Sequence, residues 1–245
     1  MRKVRATLGR TPVLEVIACS VADAIEAERG GAARIEIIRD FHKGGLTPPI
    51  EMVQGILDAV TIPVRVMLRE NESYEANEAD IDKLCSAAGM LAELPVDGVV
   101  LGFLRQQEVN VEVTERILAG APNLKATFHH AFEEAHDQLE AIRALKQIGQ
   151  IDRILAHGGP GKWAEKIERL AGYADAARPE IEILAGGGID QETLETISRA
   201  TSIREFHVGR AVREPATAAG VVSSHLVRAL VQTSVWQGCE YFYDR

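Results

Sequence analysis

The sequence predicts a single-domain α/β protein built as a (β/α)8 barrel of the TIM type. Eight short β-rich runs alternate with longer stretches of helical periodicity, the pattern of repeated strand–helix units around a parallel sheet. Glycines punctuate the joins, as at Gly30-Gly31, Gly44-Gly45, Gly120 and Gly149. A length of 245 residues suits one such barrel, and no linker, short-period repeat or low-complexity tract divides it. A doubly wound open sheet would need a GxGxxG turn after the first strand, and none is present.

In chain order the predicted strands are 13–18, 33–38, 62–68, 98–102, 124–129, 151–157, 180–185 and 203–208. The predicted helices behind them are 21–29, 50–60, 78–94, 111–119, 137–148, 162–176, 191–199 and a last one around 216–231. In the loop after the second strand, Gly44-Gly45-Leu46-Thr47-Pro48, Thr47 reads as a helix cap ahead of Pro48 at the first helical position. That loop, 41–49, lies on the mouth side, where it lines a pocket or meets a second subunit. The charged segment 70–82 reads as a solvated or lid-like loop.

Strand alternation separates the two faces of the barrel, because residues facing the helices must be apolar. Leu14, Val16 and Ala18 suit the helices, so Glu15, Ile17 and Cys19 point inward. The same rule turns Arg34, Glu36 and Ile38, then Arg65, Met67 and Arg69, into the interior. Lys125, Thr127 and His129 follow, then Arg153, Leu155 and His157, and finally Glu205 and His207. An interior with a purely structural role is dominated by Val, Ile and Leu. Buried charges cost several kcal/mol each unless paired, so this interior has two readings. One is an ion-pair plug in which Glu15, Arg34, Glu36 and Arg65 neutralise one another. The other is an active-site pocket at the C-terminal mouth, favoured for the residues that end their strands: Arg69, His129, His157 and His207.

The segment Ala185-Gly186-Gly187-Gly188-Ile189-Asp190 follows strand seven, and Gly209-Arg210 follows strand eight. Phosphate sites in this fold occupy these two loops, where bare backbone N–H groups meet the anion. His157-Gly158-Gly159-Pro160-Gly161 widens the same mouth. The alternative is that these glycines only make tight turns.

Composition bounds the partners. With 27 Lys+Arg against 36 Asp+Glu the net charge is −9, which argues against nucleic acid and anionic membrane surfaces. Residues 1–10 are polar and basic without an apolar run behind them, and no stretch approaches the roughly 18 apolar residues of a spanning helix. A soluble, cytoplasmic protein is expected. Cys19, Cys85 and Cys239 form neither a disulfide framework nor a CxxC zinc spacing. Cys239 lies in an aromatic tail with Trp236, Tyr241, Phe242 and Tyr243, expected to pack on the barrel or on a partner chain.

An ordered set of segments carries a family likeness: Leu14-Glu15-Val16, Glu28-Arg29-Gly30-Gly31-Ala32, Arg34-Ile35-Glu36, Gly44-Gly45-Leu46-Thr47-Pro48, Pro63-Val64-Arg65-Val66-Met67, Thr127-Phe128-His129, Ala185-Gly186-Gly187-Gly188 and Glu205-Phe206-His207. Together they resemble the CutC-type copper homeostasis family. The resemblance implies a cytoplasmic TIM barrel, a homodimer or higher homo-oligomer, with a role in copper handling. It also exposes departures. Ile17 and Ile38 stand where the resemblance calls for the two cysteines that would bind Cu(I). Cys19 stands in place of an aspartate, Asp40 replaces an asparagine, and His129-His130 replaces a His-Arg pair.

Two functional hypotheses follow. A metal-handling protein would draw on Cys19, His129, His130, His157 and His207, a set suited to Cu(II) or Zn(II) as a divalent cofactor or cargo. An enzyme on a small anionic or phosphorylated sugar-like ligand would use Glu15 and Glu36 as general acid and base, or to hold a divalent ion. His129 and His207 would serve proton transfer, Arg65 and Arg69 would clamp the anion, and Gly186, Gly187, Gly188, Gly209, Arg210 and His157 would bind it.

Overall fold

The structure, a computed structural model, describes residues 11–236. The expectations for residues 1–10 and for Cys239, Tyr241, Phe242 and Tyr243 lie outside the described residues. The eight barrel strands are Val13–Ala18, Arg34–Ile37, Val64–Met67, Gly98–Leu101, Lys125–Phe128, Ile151–Ala156, Glu182–Ala185 and Glu205–Val208. Every neighbouring pair is parallel, and the eighth strand pairs with the first through Val13↔Glu205 and Glu15↔His207, which closes the sheet. The helices between and after them are Val21–Gly30, Ile50–Leu57, Glu78–Ala92, Val111–Leu118, Gln138–Leu145, Trp163–Ala177, Gln191–Ala200 and Ser224–Val231. No helix among the described residues is long and apolar enough to cross a membrane.

The alternation rule holds in the packing. Leu14, Val16, Ile35, Ile37, Val64 and Val66 join the large apolar layer between sheet and helices. Ile17, Ile38, Met67 and Val100 form a separate small cluster inside the barrel, with Cys19 and Phe41 against it. Lys125 departs from the rule: at the base of its strand it is exposed, and its Nζ donates to Gly149 O at 3.2 Å.

Two further expectations are corrected and a third is narrowed. The last helix starts at Ser224, eight residues later than expected, because the chain first makes a small antiparallel hairpin pairing Arg213 with Val222 and Glu214 with Val221. Buried Asp23 holds that hairpin to the first strand, accepting from Arg213 Nη2 at 2.8 Å, Val222 N at 3.0 Å and Cys19 N at 2.9 Å. Thr47 does not cap the second helix, whose cap position is Pro49. Its hydroxyl instead bonds both backbone groups of Arg69, at 2.8 and 3.0 Å, and ties the loop to the end of the third strand. Segment 70–82 is a solvated loop up to the third helix, with Glu72, Ser73, Glu75 and Asn77 exposed, and the lid alternative gives way to a tethered one: Arg69 Nη2 donates to Glu72 O and Asn71 Nδ2 donates to Asp80 at 2.9 Å.

Candidate functional site

The interior charges divide into two levels. At the base they make an alternating ladder. Arg34 pairs with Glu15 and, at 2.9 Å, with Glu205; Arg153 pairs with Glu205 at 2.6 Å and with Asp152. Both terminal nitrogens of Arg65 donate to Asp152 at 2.8 Å, its Nε donates to Asp97 at 2.8 Å and its Nη1 donates to Thr127 at 2.7 Å. All three of its nitrogens donate within this ladder, so Arg65 belongs to the plug and does not clamp an anion at the mouth. With Arg153 and Leu155 facing inward, strict alternation would turn Asp152 toward the helices. The strand register skips it, pairing Ala126 with Ile151 and Thr127 with Arg153, and this irregularity lets two successive residues reach the interior.

Above the plug sits a chain of three groups. His207 Nδ1 lies 2.8 Å from Glu15 Oε1, and its Nε2 lies 3.4 Å from Glu36 Oε2. Burial alone would push the Glu15 carboxyl up, but Arg34 and His207 outweigh it and hold it well below the usual carboxylate range. Glu15 is therefore an anion, and Nδ1 of His207 carries the proton it accepts. Burial opposes a charge on His207, yet the two carboxylates outweigh it and raise its pKa above 6.5. Glu36 lacks its own arginine. Desolvation is the main cause that raises its carboxyl to about 7, with the neighbouring Glu15 charge adding to it. Its Oε1 has no hydrogen-bond partner.

Glu36 and His207 line a hollow of about 290 Å³ with Arg69, Tyr74, His129 and His130 around it and Ile17, Ile38, Met67 and Leu155 as its apolar lining. Tyr74, which sequence reasoning missed, forms a wall: the Arg69 guanidinium stands 4.8 Å from its ring centre and the His129 ring 5.4 Å. His129 Nδ1 accepts from Ala131 N at 3.2 Å. Burial, with Arg69 and His130 nearby, keeps His129 neutral well below the usual histidine range, and burial takes His130 down to about 3.

A second hollow of about 210 Å³ opens beside the first and shares Ile17, Phe41, His130, His207 and Arg210 with it. Gly187, Gly188 and Gly209 lie here, as expected for the mouth. Packing explains most of these glycines. A Cβ on Gly186 would meet Leu155 at 2.7 Å, one on Gly187 would meet His157 at 2.4 Å, and one on Gly209 would meet Phe41 at 2.5 Å. Gly188 has open space around it and φ of +94°, so the turn alone requires it. Asp190 caps the following helix, accepting from Thr193 N at 2.9 Å, which sets a carboxylate at that helix N-terminus. Arg210 is exposed and has no carboxylate partner among the described residues.

The trio Cys19, His129 and His157 does not assemble as a metal site. Cys19 lies 3.5 Å from Arg213 Nη2, and burial raises its thiol to about 11, away from the thiolate a metal needs. His157 stays on the rim, where buried Glu133 accepts from its backbone N–H and from Gly158 N at 2.9 Å. Among the described residues the group able to hold an ion is Glu15, Glu36 and His207, whose ligand atoms lie within 4.8 Å of one another.

The family model described as the CutC family matches residues 13–212. A mouse protein named copper homeostasis protein cutC homolog is 32% identical over 244 residues, covering 94% of this chain and 88% of that protein. The human protein of the same name is 33% identical over 200 residues, covering 80% and 72%. The crystal structure of a CutC protein from Streptococcus agalactiae superposes with a TM-score of 0.74 at 26% identity, covering 81% of this chain and 98% of that one. Phosphoribosyl anthranilate isomerase from Thermococcus kodakaraensis reaches 0.60 at 15% identity, covering 90% and 97%, a likeness of fold alone.

Proposed function

The chain belongs to the CutC family, and on that premise we propose that it is an acid–base enzyme acting on a small anionic ligand in the hollow above the plug. The observation that supports this is Glu36: a carboxyl 2% exposed, with one oxygen unpartnered, facing a cavity and titrating at about 7. A catalytic acid or base works best when its pKa lies near the working pH. Glu15 orients the His207 ring, His207 shares a proton with Glu36, and Glu36 gives or takes a proton at the ligand. Arg69 and Arg210 supply the positive field that draws an anion in.

The relatives are named for copper homeostasis, but the lining of this pocket offers Cu(I) no thiolate pair, only the Met67 thioether. Ile17 and Ile38 pack with Met67 and Val100 where soft thiolate donors would be needed, and carboxylate and imidazole groups suit a harder ion. A divalent ion on Glu15, Glu36 and His207 is the second reading, favoured by their mutual reach of 4.8 Å.

The test follows small carboxylates and sugar phosphates by NMR in deuterated buffer with the protein as purified. Proton exchange or conversion of one of them is expected, reduced about a hundredfold or more in Glu36→Gln. Stoichiometric copper in the purified protein together with an inert panel would overturn the enzyme reading. Stoichiometric zinc or manganese, lost in Glu36→Gln, would establish the second reading.

A further inference from the structure

Four side-chain atoms of residues lining the hollow have no hydrogen-bond partner: Arg69 Nε, His129 Nε2, Glu36 Oε1 and His130 Nδ1. Arg69, His129 and Glu36 are 6%, 3% and 2% exposed. A buried donor or acceptor left without a partner is costly, so four around one cavity call for an occupant. We infer that this cavity receives the carboxylate of a small hydroxy- or oxo-carboxylate, bound by Arg69 and His129, with Glu36 against the neighbouring oxygen. The inference rests on the acid–base reading above and names its ligand class.

The hydrogen-bonding sense of each group supports the assignment. Because His129 Nδ1 accepts from Ala131 N and the ring is neutral, its single proton is on Nε2, which is a donor facing the cavity. Arg69 Nε is a charged donor whose guanidinium is fixed by Glu72 O on one side and the Tyr74 ring on the other. Tyr74 also flanks His129, so both donors belong to one wall. Two donors on one wall match the two oxygens of a carboxylate. A proton-bearing Glu36 donates to a carbonyl or hydroxyl oxygen, and an ionised one accepts from a hydroxyl.

Charge and size narrow the class. Arg69 is the fixed cation of the donor wall, since His129 and His130 are neutral, and Arg210 stands on the exposed rim of the same hollow. A carboxylate seated on that wall meets Arg69 directly, whereas a larger dianion would also set charge against the carboxyls of Glu36 and Glu15. The neighbouring glycine hollow does not relieve this, because Asp190 occupies the helix end there. A volume of about 290 Å³ has room for about ten non-hydrogen atoms at the roughly 30 Å³ each water takes in the liquid. The apolar lining of Ile17, Ile38, Met67 and Leu155 suits a short carbon skeleton.

Calorimetric titration at pH 6 with glycerate, lactate and inorganic phosphate tests this on the full chain. At least one of the two hydroxy acids should bind, and Arg69→Gln should weaken it about tenfold or more, the loss of one charge-assisted hydrogen bond. His129→Asn keeps an acceptor for Ala131 N while removing the distal donor, so it should fold and also weaken binding about tenfold. Glu36→Gln should keep the affinity within about threefold at this pH, because a neutral amide resembles the protonated acid. Absence of binding by both acids, an affinity unmoved in folded Arg69→Gln and His129→Asn, or phosphate binding more tightly than either acid would overturn the inference. Binding that depends on Arg69 while Glu36→Gln retains full proton exchange would instead remove the acid–base reading and leave the carboxylate site standing.

Discussion

Within one barrel interior two glutamates of like sequence context behave oppositely. Glu15 has Arg34 and His207 and stays ionised, whereas Glu36, two strand positions further toward the mouth on the next strand, has half of His207 and an empty cavity. The consequence is a stability dependence with a definite sign. Glu36 is raised from 4.5 to about 7 in the fold, so the protonated form is the favoured native form; its contribution is full below 4.5 and is lost as pH rises through 7. Glu36→Gln should fold and unfold as cooperatively as the parent while lacking that part of the decline, as chemical denaturation at pH 5 and pH 8 will show. An equal decline in both proteins would assign the slope to His207 alone. Alternation had placed Glu15, Glu36, Arg34 and Arg65 correctly inside, because side-chain direction in a strand is a local property. Which of them is paired is not local, and Tyr74 and Glu133, on irregular segments, carried no periodic signal at all.

At the level of elements, the contacts that set the site come from small irregularities. The register skip between Ala126 and Thr127 delivers Asp152 to Arg65, and no sequence pattern announces it. Asp152→Asn removes the charge and one of the two oxygens to which Arg65 donates; a loss of about 1.5–3 kcal/mol is expected from the weakened charged hydrogen bonds. A shift in denaturation midpoint at constant slope would confirm it. The first and eighth helices close the outer ring at Gly30, where an added Cβ would meet Val227 Cβ at 2.4 Å and Ser224 O at 2.9 Å. Gly30→Ala therefore overpacks this joint, with a cost of about 1–3 kcal/mol readable in the thermal midpoint; an unchanged midpoint would mean the helices can part freely. Both strands and helices were legible in outline because eight units repeat one period. The hairpin before the last helix was not, since Asp23 and Arg213, which fix it, lie 190 residues apart.

For the molecule as a whole, the interior gives a stability optimum on the acid side of neutrality. Glu15, Glu205 and Asp152 are all held below their usual values, by Arg34 and His207, by Arg153 and Arg34, and by Arg65 and Arg153, each against the opposing effect of burial. Groups depressed in this way contribute stability above the unfolded values of 4.5 and 3.8 and lose it as pH falls through the native ones. Glu36 and His207 are raised and lose theirs as pH climbs. The thermal midpoint should therefore peak at about pH 5 and fall on both sides. A flat profile from pH 5 to pH 8 would show that Glu36 and His207 titrate alike in the folded and unfolded chain.

The ladder under the site also decides how protons travel. Arginine does not give up its proton in a protein, so Glu15, Glu205 and Asp152, separated by Arg34 and Arg153, cannot pass one along the row. The base of the barrel is in this sense an insulator. Every proton that Glu36 or His207 gains or loses must cross the open mouth, through the same door as the ligand, and a tightly seated ligand will stop that traffic until it leaves.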